Sequence, residues 1–178
     1  PPPPPPPPPP PVPAEDGIRD TRIGLVGSEM CIRDRFTATP VQHWSARSLW
    51  DRNDTLWASW LLEVDDFSCW YSGDTGYNPY QFREIGERFP GIDLALISIG
   101  AYAPRWFMKD VHINPEEAVQ IHVDIGARHS IAVQWGTFPL TAEPIDEPPK
   151  RLQQALADKK IDPDAFIVMQ IGETRIID

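Results

Sequence analysis

Phe67-Ser68-Cys69-Trp70-Tyr71-Ser72-Gly73-Asp74-Thr75-Gly76-Tyr77 is the stretch that decides how this chain is read. It opens as an aromatic-rich run of the kind that forms a buried strand, and it stops at a carboxylate held between two glycines. Without a Cβ, Gly73 and Gly76 permit a sharp turn and a close approach of a ligand to the backbone. Asp74 then falls at the carboxyl end of a strand, where open α/β sheets build their sites. A carboxylate there can offer each oxygen to a metal. The same residues equally describe an aspartate closing an ordinary turn.

Working outward, the run from Thr55 to Val64 is rich in Trp and Leu, and Asp65-Asp66 separates it from Phe67 to Tyr71. Two strand-like runs joined by two turn-forming residues predict a β-hairpin. Further upstream, Phe36 to Val41 reads as a short strand entering a loop that begins Gln42-His43-Trp44-Ser45. Downstream, Asn78-Pro79 reads as a helix N-cap with proline at the first helical position. Phe82, Ile85 and Phe89 share one helical face, and Pro90-Gly91 ends the element. Leu94 to Ile99 is apolar with little alternation, as expected of a strand covered on both faces. A loop is expected from Gly100 to Lys109, with His112 just beyond it.

Cap and first turn recur at Asn114-Pro115, where Ala118, Ile121, His122 and Ile125 face inward and Gly126 is the stop. Ser130 to Val133 predicts another buried strand, ending in Gln134-Trp135-Gly136-Thr137. A last helix is expected from Pro148 to Lys160 and a last strand from Phe166 to Met169. Strands alternating with helices after an initial hairpin predict an α/β layered fold. Asp74, the loop carrying His112, and Gln134 converge only if their strand ends share one edge.

Composition bounds the partners. The 178 residues carry 26 acidic against 16 basic side chains, a net charge of −10, which argues against nucleic acid bound through a basic surface. No apolar run is long enough to span a bilayer, and no signal-peptide pattern opens the chain. Cys31 and Cys69 lack metal-finger spacing. The expected compartment is reducing and cytoplasmic.

Two amino-terminal segments stand apart. Pro1 to Pro13, unbroken proline apart from Val12, reads as an extended polyproline tail that joins no core. Ala14 to Arg35 has neither helical nor strand periodicity. Its run GLVGSEMCIRD, Gly24 to Asp34, resembles translated sequencing-adapter read-through. Residues 1–35 are therefore expected to be foreign to the domain and to carry no fold argument, which leaves 36–178 as a partial domain.

Six short motifs then occur in order: Gln42-His43-Trp44, Gly73-Asp74-Thr75-Gly76-Tyr77, Ile99-Gly100-Ala101-Tyr102, Arg105-Trp106-Phe107-Met108, His112-x-x-Pro115-Glu116-Glu117-Ala118 and Trp135-Gly136-Thr137-Phe138. Together they resemble the carboxyl-terminal half of the N-acylphosphatidylethanolamine-hydrolysing phospholipases D, within the metallo-β-lactamase superfamily. The resemblance implies an αββα sandwich with two zinc ions at one edge. By resemblance, His43 is a zinc ligand and Asp74 is both catalytic and the carboxylate bridging the two metals. His112 is a further catalytic histidine, a substrate contact or proton carrier. Neutral imidazole suits zinc, and an aspartate can bridge two cations while offsetting their charge. Tyr102, Trp106, Phe107 and Met108 would contact substrate. The implied partner is a phospholipid, with peripheral membrane contact and a homo-oligomer left open.

Two departures stand out. The family's His-x-His-x-Asp-His motif belongs upstream of His43, and no histidine precedes His43. Gln134 stands where the family places a histidine ligand, and an amide is a poor substitute for imidazole at zinc. The expectation is a hydrolase whose metal centre this chain does not complete, so that the chain alone is inactive. Alternatives are another phosphodiester or lactone hydrolase of this fold, or a metal-free relative. Asp74-Thr75-Gly76 is also the triplet of aspartic proteases, but the two capped helices argue against an all-β fold. His122 and His129 read as structural.

Overall fold

A computed structural model describes residues 20–21 and 34–177. The expectations for Pro1 to Pro13 and for most of Ala14 to Arg35, Cys31 included, lie outside the described residues. Within that segment Asp20–Thr21 forms a short strand, β1, and Arg35 opens the next, β2 (Arg35–Thr39). β1 pairs antiparallel with β2, Asp20 opposite Thr37.

Among the described residues, seven strands form one mixed sheet in sequence order. The predicted hairpin is β3 (Ser59–Val64) with β4 (Phe67–Tyr71), Val64 standing opposite Phe67. Its first strand starts at Ser59, later than the Trp- and Leu-rich run itself. Asp65 takes a φ of 50°, a left-handed turn conformation that aspartate tolerates. Parallel strands then follow: β5 (Leu94–Ser98), β6 (His129–Val133) and β7 (Phe166–Ile167).

Helix α1 (Pro79–Arg88) starts where the Asn78 side chain accepts the amides of Tyr80 and Gln81, and it buries Phe82 and Ile85. The loop expected over Gly100 to Lys109 contains a four-residue helix, α2 (Arg105–Met108), because the Phe107 and Met108 amides both donate to the Pro104 carbonyl. Helix α3 (Pro115–Asp124) begins with a full capping box: Asn114 accepts the Glu117 amide, and Glu117 accepts the Asn114 amide. Helix α4 (Glu147–Lys159) ends in a left-handed cap at Lys160, so Lys160 lies just outside the helix.

One face of the sheet meets these helices. Leu61, Trp70, Ala95, Ile97 and Ala132 pack with Phe82, Ile121, Leu152 and Leu156 in one core. Each large side chain buried this way contributes about 1.5–3 kcal/mol. Trp70 lies edge-on to Phe82 at 6.1 Å, and its indole N–H donates to Thr39 Oγ1 at 3.0 Å, so its polar atom is satisfied. His122 is buried on α3 and shares a 2.8 Å hydrogen bond with Ser130 Oγ, which makes it structural.

The other face carries Trp60, Leu62, Phe67, Cys69, Tyr71, Leu94, Leu96, Ile131 and Val133, aligned across the ladders. Among the described residues it is only partly covered: Trp60 is 44% and Phe67 48% exposed. No residue of Leu94–Ser98 is exposed, as expected of a covered strand, so the open part of this face lies on β3 and β4. The strands are apolar on both sides because both sides are built to be buried.

Two outcomes follow for the isolated chain. It is expected to self-associate through the open face, and Trp60→Lys with Phe67→Lys should shift its sedimentation toward monomer. A wild-type chain that sediments as a monomer would contradict this. Asp93 makes the second case: it accepts the Ser68 amide at 2.9 Å, the Ser68 hydroxyl at 3.0 Å and Arg128 at 3.0 Å. The Ser68 amide above all holds the Asp93 carboxyl below the usual carboxylate range. A depressed carboxyl adds stability above its unfolded pKa and loses it as pH falls through the folded one. Asp93→Asn should therefore cost about 1 kcal/mol at neutral pH, with the difference closing in acid. Urea melts at the two pH values test this, and an equal difference at both would refute it.

Candidate metal centre

The parallel pairing decides where the ligands go. Tyr71 stands opposite Leu96, and Ser98 opposite Val133, so β4, β5 and β6 end along one edge. The chain leaving β4 turns through Gly73 at φ 59°, a left-handed conformation suited to glycine, and presents Asp74. Gly76 is required for a different reason. A Cβ there would stand 2.4 Å from the Asp110 carbonyl oxygen. That contact lets the loop before α3 close over the β4 exit and bring His112 to Asp74.

His43 arrives from the other side. Gln42 and Gly76 form an isolated antiparallel bridge. One ligand atom from each of His43, Asp74 and His112 then lies within 4.8 Å of the others. Tetrahedral zinc with bonds of about 2.0–2.2 Å places its ligands roughly 3.3–3.5 Å apart. A modest inward movement brings the three to bonding distance.

The donors fit a borderline cation. His43 Nδ1 lies 2.8 Å from the Trp44 carbonyl oxygen, and since a carbonyl only accepts, Nδ1 carries the proton. Nε2 is left with a bare lone pair, and it is buried without a hydrogen-bond partner. A buried, unpaired acceptor is costly unless something binds it. The ring is fixed by stacking on Trp44, 5.8 Å between centroids and 10° between planes, and Arg52 sits over Trp44 at 5.3 Å. His112 meets His43 edge-on at 5.4 Å.

Burial holds the His112 imidazole below its ordinary range; the Asp74 charge opposes that shift and His43 adds to it. The ring is thus neutral at pH 7, the form that ligates metals or takes a proton. Its backbone is anchored by α2: the His112 amide donates to the Met108 carbonyl at 2.8 Å, and Arg105 donates to the His112 carbonyl at 2.8 Å. Arg105 also forks both Glu117 oxygens at 2.8 Å.

The sequence-predicted site residues divide. Asp74, His112 and Gln134 line one cleft of about 390 Å³, together with Trp135, Thr137, Phe138 and Leu140. Gln134 sits at φ 55°, and its amide donates to the Tyr71 hydroxyl at 3.2 Å. Tyr102 does not suit the substrate-contact role expected of it. It is buried, its hydroxyl donates to Glu147 at 2.7 Å, and Arg151 covers its ring at 4.8 Å. Trp106 and Phe107 project outward on α2, and neither they nor Met108 are among the cleft-lining residues. The sequence reading missed Phe138, Leu140 and the anchoring carboxylate Glu143, which accepts the Tyr102 and Ala103 amides. Phe138 stood in a quoted motif, but no periodicity marked the loop beyond it.

A strand-end cluster of this kind on a mixed α/β sheet defines a metallo-hydrolase fold, and residues 13–135 match the beta-lactamase superfamily domain. The chain belongs to that superfamily. More particularly, it is 42% identical over 136 residues to N-acyl-phosphatidylethanolamine-hydrolyzing phospholipase D 1 of Caenorhabditis elegans, covering 75% of this chain and 38% of that protein. It is also 42% identical over 145 residues to the mitochondrial N-acyl-phosphatidylethanolamine-hydrolyzing phospholipase D of Saccharomyces cerevisiae, 80% of this chain and 31% of that one. The chain therefore spans well under half the length of either relative. Among solved structures, an isothiocyanate hydrolase from Delia radicum gut bacteria superposes with a TM-score of 0.61 at 15% identity, covering 82% of this chain and 54% of that one. At such identity the likeness shows the fold. No helix among the described residues is long and apolar enough to cross a membrane.

The cluster is testable by metal binding alone. Asp74→Ala and His112→Ala should each weaken binding of a divalent cation by more than about a hundredfold, beyond what an outer-shell change costs. Asp74→Asn should lose nearly as much, because the amide brings no charge. Equilibrium dialysis showing unchanged affinity in all three would remove these residues from the site.

Proposed function

We propose that this chain is part of a zinc-dependent phosphodiesterase of the phospholipase D type, which cleaves N-acylphosphatidylethanolamine to N-acylethanolamine and phosphatidic acid. The observation that carries the reading is the grouping of His43, Asp74 and His112 at the sheet edge, with His43 Nε2 buried and unpaired. The 42% identity over most of the chain supports the substrate class. On this reading residues 36–178 are the hydrolase segment, and 1–13 and 14–35 are foreign to it.

His43 Nε2 and Asp74 would hold zinc, with Asp74 as the ligand shared by two ions in a complete centre. Zinc, when bound, supplies an activated water and positive charge against the developing phosphate oxygens. The chain's own groups do the rest. His112, kept neutral by burial, stands ready to ligate or to take a proton beside the reacting phosphate. Trp135, Phe138 and Leu140 give the cleft apolar walls suited to acyl chains, and Thr137 adds a hydroxyl. Exposed Trp106 and Phe107 on α2 suit contact with a lipid surface. A complete centre also needs the His-x-His-x-Asp-His donors this sequence lacks, so the chain alone is inactive.

Gln134 favours a second reading, a relative that has given up one ligand and with it catalysis. Its amide is engaged by Tyr71, as a structural side chain would be.

The test is release of N-acylethanolamine from phospholipid vesicles. The chain alone should give none, whereas a full-length hydrolase carrying this segment should be active, lose turnover with a chelator and regain it with zinc. In that protein Gln134→His should raise zinc stoichiometry and rate. Full-length protein that binds zinc but never cleaves the lipid would overturn the substrate assignment. Unchanged stoichiometry and rate in Gln134→His would leave that position outside the metal centre.

A further inference from the structure

We propose that Gln42 is the positioning residue that holds the three ligand-bearing segments together. The proposal rests on the reading of His43, Asp74 and His112 as a divalent-cation site. His43 is the next residue in the chain, so whatever fixes Gln42 fixes the entry of that ring. The Gln42 amide donates to Thr75 Oγ1 at 3.0 Å, and its carbonyl accepts the Gly76 amide at 2.7 Å. Those two bonds tie the His43 segment to the turn that carries Asp74. Thr75 completes the turn by donating its hydroxyl to the Gly76 carbonyl at 2.7 Å. One residue earlier, buried Val41 accepts the Trp57 indole N–H at 2.9 Å, which anchors the clamp to the core.

The side chain ties in the third segment. Gln42 Nε2 donates to the Asp110 carbonyl at 2.8 Å, two residues before His112. Since that carbonyl only accepts, the amide is oriented with nitrogen toward Asp110. Oε1 then faces Asn78, whose Nδ2 donates to it at 3.4 Å. Asn78 is also the N-cap of α1, so the contact links the clamp to the helix layer. Any residue with a backbone N–H could make the two backbone bonds, but only a side chain that both donates and accepts can make the other two. Glutamate offers no donor to Asp110, and lysine no acceptor to Asn78. Gly76 completes the arrangement: a Cβ there would stand 2.4 Å from the Asp110 oxygen and 2.9 Å from Gln42 Nε2.

The full chain is compared with Gln42→Glu, Gln42→Ala and Gly76→Ala by two measurements. The first is titration with cobalt(II) alone, followed by its visible absorption. Each variant should bind cobalt about 10–100-fold more weakly than wild type, the cost typical of losing an outer-shell partner. The second is backbone hydrogen exchange of the metal-free chain, read in the peptide spanning residues 106–114. That peptide should exchange several-fold faster in each variant, while α3 and the central strands keep wild-type protection. Cobalt affinity and exchange both unchanged in Gln42→Glu and Gln42→Ala would overturn the proposal. So would a rise in exchange spread evenly through α3 and the sheet, which marks a general loss of fold. A wild-type chain that binds no cobalt, with exchange in 106–114 still responding to Gln42, would retain the clamp and remove the metal-site reading.

Discussion

The parallel register of β4, β5 and β6 is the constraint on which the site depends. Tyr71 against Leu96 and Ser98 against Val133 bring three strand exits to one edge, and the segments carrying Asp74, His112 and Gln134 leave from there. Shifting one strand by a single residue would turn its apolar set to the wrong face. Buried Trp70 and Ala95 prevent such a slip, because they are opposed across the β4–β5 ladder and packed beneath α1 and α3. The geometry of the candidate metal centre is thus inherited from core packing. Its chemistry is set by what the exits carry.

Three of those groups act as one electrostatic unit. Asp74 supplies the negative charge, and two imidazoles approach it with at least one lone pair unpaired. Burial keeps His112 neutral despite the neighbouring carboxylate. Farther from the cluster, the Arg105–Glu117 fork and the capping box at Asn114 hold the His112 loop against the start of α3.

Much of this was legible in the residues. Asn78-Pro79 and Asn114-Pro115 announced α1 and α3, because caps act locally and carry fixed residue types. The hairpin at Asp65-Asp66 and the apolar runs of β5 and β6 were equally plain. The ordered motifs point to His43 and Asp74 as ligands and to His112 as a further active-site histidine. Less legible was α2, since one helical turn resting on the Pro104 carbonyl leaves no periodic trace. Tyr102 takes its substrate role from the resemblance alone, while its burial on Glu147 and Arg151 depends on α4, which lies far along the chain. Leu94–Ser98 reads as a covered strand and has no exposed residue, whereas the open face of the hairpin at Trp60 and Phe67 leaves no mark in the sequence.

Gln134 shows how close the two chemical states of this protein lie. Its backbone occupies the left-handed region at φ 55°, where a β-branched side chain would be strained but histidine, like asparagine, is tolerated. Glutamine and histidine codons differ at one base. A single nucleotide change can therefore exchange imidazole for amide at the β6 exit without forcing the turn to refold. Amide and imidazole can thus be exchanged here with the same backbone kept.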